Sequence, residues 1–147
     1  MKILVINGPN MNLLGLREPE IYGDVSYKEL CEMIQGSAER MGVQVGFYQS
    51  NHEGALVDAI QGCSGVCDGI IINPAAYTHT SVAILDAVKA VGLPTVEVHI
   101  SDPDTREEFR KISYIRPACI ATIKGHGITG YLEALRILHA NLGGTTV

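Results

Sequence analysis

Gly69-Ile-Ile-Ile72, closed by Asn73-Pro74, is an uninterrupted apolar run, too short for a helix and rich in β-branched side chains. A strand without polar alternation is buried on both faces, as in the middle of a parallel sheet covered by helices. Working outward, four further runs repeat this signal: Ile3 to Ile6, Val43 to Tyr48, Thr95 to Ile100 and Cys119 to Ile123. Between the runs, apolar residues recur with helical spacing over Ser26 to Met41, Glu53 to Gly62, Thr80 to Val91, a short piece near Thr105 to Phe109, and Ile128 to Leu142. The alternation predicts an α/β fold, a three-layer α/β/α sandwich around a five-stranded parallel sheet.

Helix limits are also legible. Ser26-Tyr-Lys-Glu29 has capping-box spacing, and Asp104-Thr-Arg-Glu107 offers a cap followed by first-turn acids. Gly42 and Gly92 stop helices before the next strand. Five strands fit a flavodoxin-like order better than a six-stranded dinucleotide fold, and 147 residues suit one such domain spanning 1–147.

Composition narrows the function classes. Hydrophobic residues at 46% and charged residues at 18% exclude a disordered tail, a collagen-like fibre or a charge-rich coiled coil. The net charge of −5 provides no global positive field for a polyanion, so no nucleic-acid partner is expected. Cys31, Cys63, Cys67 and Cys119 lack zinc-ligand pairing and read as buried thiols in a reducing compartment. No stretch reaches the roughly 20 apolar residues of a membrane span, and the first apolar run is too short for a signal segment, so the expected location is cytoplasmic.

In an open parallel sheet the ligand crevice lies beyond the carboxyl ends of the strands. The five exits here are Asn7-Gly-Pro-Asn10, Gln49-Ser-Asn-His-Glu53, Asn73-Pro-Ala-Ala-Tyr-Thr-His79, His99-Ile-Ser-Asp102 and Lys124-Gly-His-Gly127. Turn propensity explains their Asn and Gly residues, but not the four imidazoles of His52, His79, His99 and His126. A functional crevice is the expectation.

On the fourth strand Thr95, Glu97 and His99 alternate with Val96 and Val98, so a carboxylate and an imidazole share one face. Two readings stand: an edge strand with a solvated polar face, or a general acid in which Glu97 orients His99. The connection from Gly8 to Val25 is about 18 residues where about 2–6 suffice, and it holds Arg17 and Tyr22. It reads either as a mobile cover bringing both to the crevice or as a surface loop. A phenol serves as a base only if its pKa falls from about 10, and a cation within about 4–6 Å produces that fall. Arg17 is the candidate cation.

Gly125-His-Gly127-Ile-Thr-Gly130 spells a dinucleotide fingerprint, but no second βαβ unit or ribose-binding acid follows it. The glycines read instead as close backbone approach near the crevice. No phosphate-loop, zinc-protease or serine-elbow motif occurs. Asp86 and Lys89 read locally as a surface ion pair, while Arg106 and Arg110 repel unless Glu107 or a bound carboxylate offsets them. Two rival functions remain on residues alone. A Schiff-base enzyme would use Lys124, the lysine that ends a strand at the crevice, and a non-enzymatic flavodoxin-like binding or receiver module would use the crevice without turnover.

Assembled, these residues resemble the type II 3-dehydroquinate dehydratases. The likeness runs from Ile6 to Leu135 through Asn7-Gly-Pro-Asn-Met-Asn-Leu-Leu-Gly15, Arg17-Glu-Pro19 with Tyr22-Gly23, Gln49-Ser-Asn-His-Glu-Gly54, Asn73-Pro-Ala-Ala-Tyr-Thr-His-Thr-Ser81, Asp86-Ala87, Glu97-Val-His-Ile-Ser101, Arg106-Glu-Glu-Phe-Arg110 and Gly130-Tyr131. It implies a flavodoxin-like fold and dehydration of 3-dehydroquinate to 3-dehydroshikimate without metal or organic cofactor, in the shikimate pathway or quinate breakdown. It further implies Tyr22 as base assisted by Arg17, Asn12 as an enolate stabiliser through water, and His99, held by Glu97, as the acid. Asn73, His79, Arg110 and the Ile100-Ser101 backbone would bind substrate. Asp86 would reach a neighbour's site in trimers that assemble into dodecamers. Asp102 and Pro103-Asp104 depart from the family's usual residues before the Arg106 block.

Overall fold

The structure, a computed structural model, describes residues 1–144. Strands β1 (Lys2–Asn7), β2 (Gln44–Gln49), β3 (Gly69–Asn73), β4 (Thr95–His99) and β5 (Ala121–Lys124) form a parallel sheet in the order β2-β1-β3-β4-β5. This is the flavodoxin-like order. Helices α1 (Pro19–Tyr22), α2 (Tyr27–Arg40), α3 (Glu53–Gln61), α4 (Val82–Val91) and α5 (Thr129–Asn141) fill the connections. The Ser26 side chain accepts from the Glu29 amide while the Glu29 carboxylate accepts from the Ser26 amide, so the capping box forms. Gly92 caps α4 in the left-handed region at φ 64°.

Alternation along the central strands builds two apolar layers. Ile3, Val5, Ile71, Val96 and Val98 face the α2 and α5 side with Leu30, Ile34, Leu135 and Leu138. Ile6, Ile70 and Ile72 face the α3 and α4 side with Leu56, Ile60, Ile84 and Val88. Full burial of each such aliphatic side chain contributes about 1.5–3 kcal/mol before entropy is counted. Tyr131 is the largest fully buried side chain in this interior.

β4 lies between β3 and β5, which removes the edge-strand reading. Its Thr95, Glu97 and His99 are buried and face away from Val96 and Val98. No long helix covers them; the β4–β5 connection crosses instead as three single 3-10 turns, Pro103–Thr105, Glu108–Arg110 and Arg116–Ala118. The short helix expected near Thr105 to Phe109 is therefore corrected. Asp102, not Asp104, supplies the cap, accepting from the Asp104 amide, and the extended backbone of Arg106 at φ −105° and ψ −154° ends the turn.

The Gly8 to Val25 connection is more ordered than a plain loop. It contains a 3-10 turn at Met11–Leu13 and the one-turn helix α1. Of the four cysteines expected to be buried, only Cys63 is; Cys31, Cys67 and Cys119 are half-buried. Among the described residues no helix is long and apolar enough to cross a membrane.

Candidate active site

β1 and β3 pair in register with Asn7 opposite Asn73, and their exits must pass close together. The Gly8 amide donates to the Asn73 carbonyl at 2.8 Å, and a Cβ on Gly8 would stand 2.4 Å from the Pro74 oxygen. Only glycine fits that approach. After Pro74 the chain turns through Ala75 at φ 53°, whose amide donates to Asn73 Oδ1 at 3.1 Å. This strained pivot fixes the mouth of a cavity at the point where strand order reverses.

The cavity is lined by Arg17 and Tyr22 from the long connection, Asn73 and His79 beyond β3, and His99, Ile100 and Ser101 at the end of β4. Arg106 and Arg110 complete the wall. Eight of the expected site residues thus meet here: Arg17, Tyr22, Asn73, His79, His99, Ile100, Ser101 and Arg110. Glu97 stands directly behind His99, its carboxylate 2.8 Å from His99 Nε2.

Glu97 is fully buried, and such a carboxylate requires donors. Thr78 Oγ1 donates to Glu97 Oε1 at 2.6 Å, Ser113 Oγ to the same oxygen at 2.7 Å, and Thr122 Oγ1 to Oε2 at 3.1 Å. Arg116 Nε lies 3.9 Å from Oε2. Burial alone would raise the acid's pKa, but the hydrogen bond and charge of His99, with the Thr78 and Ser113 hydroxyls, hold it at about 2. A permanent anion therefore faces Nε2 and directs that nitrogen's proton toward Glu97, leaving Nδ1 as the imidazole's other functional atom.

Tyr22 ends α1 with its ring half-buried against the α2/α5 core layer. Arg17 Nη2 donates to the phenol at 3.4 Å, and Arg106 Nη1 donates at 2.8 Å. Both guanidiniums lie over the ring, 4.8 and 5.6 Å from its centroid. Arg17 is nearer to the ring, but the cation nearer to the phenol oxygen is Arg106, which residue patterns alone did not assign to Tyr22. Its helical spacing from Arg110 was visible, but the extended backbone that turns its side chain toward Tyr22 in the Gly8 to Val25 connection was not. Glu107 offsets the arginine pair as expected, 2.7 Å from Arg110 Nε and 3.9 Å from Arg106 Nε.

His79 Nδ1 donates to the Ile112 carbonyl at 2.7 Å, which leaves Nε2 as its acceptor. Desolvation lowers its pKa, and the neighbouring His99 and Arg110 charges add to this against the opposing hydrogen bond to Ile112. Asn12 is exposed and lines a separate groove with Leu14 and Tyr27, its Oδ1 accepting from Gln49 Nε2 at 3.4 Å. Asp86 is exposed on α4 and does not line the cavity of its own chain.

The expectation of four functional imidazoles narrows to His79 and His99. His52 precedes α3 on the surface, and His126 pairs with Glu133 at 2.9 Å. Lys124 pairs with Asp104 and Asp102 and does not line the cavity, so the structure gives a Schiff-base reading no amine at the site. The close backbone approach expected of the Gly125 to Gly130 glycines is not general: a Cβ on Gly130 would stand 3.2 Å from the Ile123 side chain and one on Gly125 3.1 Å from Asp102 Cβ, but one on Gly127 would meet nothing within 4 Å.

A phenol between two cations and a carboxylate-held imidazole, lining one cavity, form a base and an acid suited to moving protons on a small anionic molecule. The model of the family described as "Dehydroquinase class II" matches residues 1–139. A 3-dehydroquinate dehydratase of Campylobacter hominis is 56% identical over 135 residues, covering 92% of this chain and 87% of that protein. One from Caldicellulosiruptor saccharolyticus is 55% identical over 143 residues, covering 97% and 99%. The crystal structure of type II dehydroquinase from Butyrivibrio crossotus superposes with a TM-score of 0.93 at 50% identity, covering 95% of this chain and 97% of that one. With site, sheet order and sequence in agreement, the chain belongs to the class II dehydroquinase family.

Proposed function

We propose that the chain is a hydro-lyase that converts 3-dehydroquinate to 3-dehydroshikimate, in the shikimate pathway or in quinate breakdown, with Tyr22 as base and His99 as acid. The observation that carries the residue roles is the pairing at each end of one cavity. Arg106 and Arg17 donate to Tyr22, while Glu97 accepts from His99.

The step runs as follows. Tyr22 as phenolate takes a proton from the carbon alpha to the ketone, and the C–H electron pair moves into an enolate. The Arg17 and Arg106 guanidiniums, both donating to the phenol oxygen, hold it in place at the cavity. Asn12 stabilises the enolate oxygen through a bridging water once the lid rearranges around substrate. His99 then donates a proton to the departing hydroxyl, which leaves as water as the double bond forms. Asn73, His79, Arg110 and the Ile100-Ser101 backbone bind the substrate's hydroxyls and carboxylate. The lid excludes bulk water while charge develops.

We further propose that residues 1–147 act as one catalytic domain in the cytoplasm, in trimers built into a dodecamer. In that assembly the exposed Asp86 of α4 would enter a neighbour's site. Purified protein with 3-dehydroquinate and a chelator should produce the ultraviolet absorbance of a conjugated enone. Absence of that absorbance at any pH between 5 and 9 would overturn the proposed reaction.

A further inference from the structure

Building on the reading that Asn73 binds substrate, we propose that Tyr131 is a positioning residue whose buried phenol sets the orientation of the Asn73 carboxamide. Tyr131 sits on α5, 58 residues from Asn73 and 124 from Asn7, and is 0% exposed. Its Oη donates to Asn7 Oδ1 at 2.6 Å. That bond uses the phenol's one proton, so the second contact, 3.0 Å to Asn73 Nδ2, runs from the amide to the phenol oxygen.

The polarity of this chain leaves the Asn73 amide one arrangement. Its nitrogen faces Tyr131 and its oxygen accepts from the Ala75 amide at 3.1 Å. A flipped amide would set its oxygen against a phenol oxygen without a free proton and its nitrogen against an amide N–H, losing both bonds. The remaining Asn73 N–H has Met11 Sδ at 3.5 Å, and Met11 also lines the cavity. Thioether sulfur is a weak acceptor, so a substrate hydroxyl displaces it readily. Burial pushes the Tyr131 phenol far above its usual range, which keeps it a donor to Asn7 at all working pH values.

A purely structural phenol is the competing explanation, since the ring also fills the α2/α5 core layer. Packing alone does not account for the polar trio: Asn7, Asn73 and Tyr131 are all buried, and Asn7 Nδ2 has no partner. A phenylalanine would fill the same volume without them.

The test is a kinetic cycle on 3-dehydroquinate with Tyr131→Phe, Asn73→Ala and the double variant. Tyr131→Phe is expected to raise KM about tenfold with a smaller change in kcat, and to add less than about twofold in the Asn73→Ala background. Losses that multiply independently, or an unchanged KM in Tyr131→Phe, would overturn the positioning role. If Tyr131→Phe does not fold, Asn7→Ala is the second variant, because it removes the acceptor that fixes the phenol's proton, so that Tyr131 no longer presents only its oxygen to Asn73, and it should raise KM with Tyr131 intact. Wild-type protein without turnover would instead sink the reaction on which this role rests, so the two failures are separable.

Discussion

Arg106 donates to the Tyr22 phenol at 2.8 Å across 84 residues of sequence. The contact joins the lid to the β4–β5 connection, so the base acquires its nearer donor only where these two segments meet. Arg17, on the lid itself, is the longer donor at 3.4 Å. Arg106→Ala and Arg17→Ala should each lower kcat/KM at pH 7, Arg106→Ala by about 10- to 100-fold and by more than Arg17→Ala, because its hydrogen bond to the phenol is the shorter. A kcat/KM within about twofold of wild type in Arg106→Ala would refute the pairing.

Removing either proton-transfer group should be costlier. Tyr22→Phe and His99→Ala should each lower kcat about 10²- to 10⁴-fold. Tyr22→Phe keeps the half-buried ring and should leave circular dichroism and melting temperature close to wild type, whereas His99→Ala takes the partner from the buried Glu97 carboxylate and should lower the melting temperature while the circular dichroism of the folded protein stays close to wild type. Turnover within about twofold of wild type in either variant would remove its assigned role.

The Glu97 environment makes a stability prediction independent of turnover. Its pKa of about 2 in the folded chain lies below the 4.5 of a free side chain, so the ionised form stabilises the fold above pH 4.5. That contribution fades as pH falls from 4.5 toward 2, where the buried group takes up its proton. Urea unfolding of the wild type should therefore weaken steeply over this interval, and Glu97→Gln should flatten that slope while lowering stability at pH 7. Ser113→Ala removes one hydroxyl donor and should reduce kcat several-fold with KM nearly unchanged, because it acts through His99. Equal pH slopes in wild type and Glu97→Gln would show that Glu97 is not the anion described.

How far residue patterns reach is clear from these same side chains. Ile70, Ile71 and Ile72 announce a central strand because burial on both faces leaves no polar alternation, and Glu97 and His99 announce a pair because strand geometry puts i and i+2 together. Local rules of this kind also found the Ser26–Glu29 capping box. They could not find Thr78, Ser113 and Thr122 around Glu97, because Thr78 comes from the β3–α4 connection, Ser113 from the β4–β5 connection and Thr122 from β5, where it is paired opposite Glu97. The β4–β5 connection also defeated the helix expected near Thr105, since Pro103 and the extended Arg106 break the turn while apolar spacing alone reads it as continuous. His52 and His126 mark the opposite error: both follow strands, but each side chain leaves the crevice, a direction set by the turn rather than by the sequence interval.

Asp86 raises the last prediction, because it lies outside its own chain's cavity. If it completes a neighbouring site, Asp86→Ala should lower kcat/KM about tenfold or more while the protein keeps its assembled size. The sharper measurement mixes two inactive chains. A Tyr22→Phe chain retains Asp86, and an Asp86→Ala chain retains Tyr22, so co-refolded assemblies contain interfaces where an intact Tyr22 cavity meets an intact Asp86. Activity of the mixture should then exceed that of either parent alone. An Asp86 that serves only its own subunit predicts no gain on mixing, and so does an Asp86 that merely pairs with Lys89 on the helix surface. Recovery on mixing therefore distinguishes a shared site from both alternatives, and its absence in assemblies of verified mixed composition would remove Asp86 from the neighbour's site.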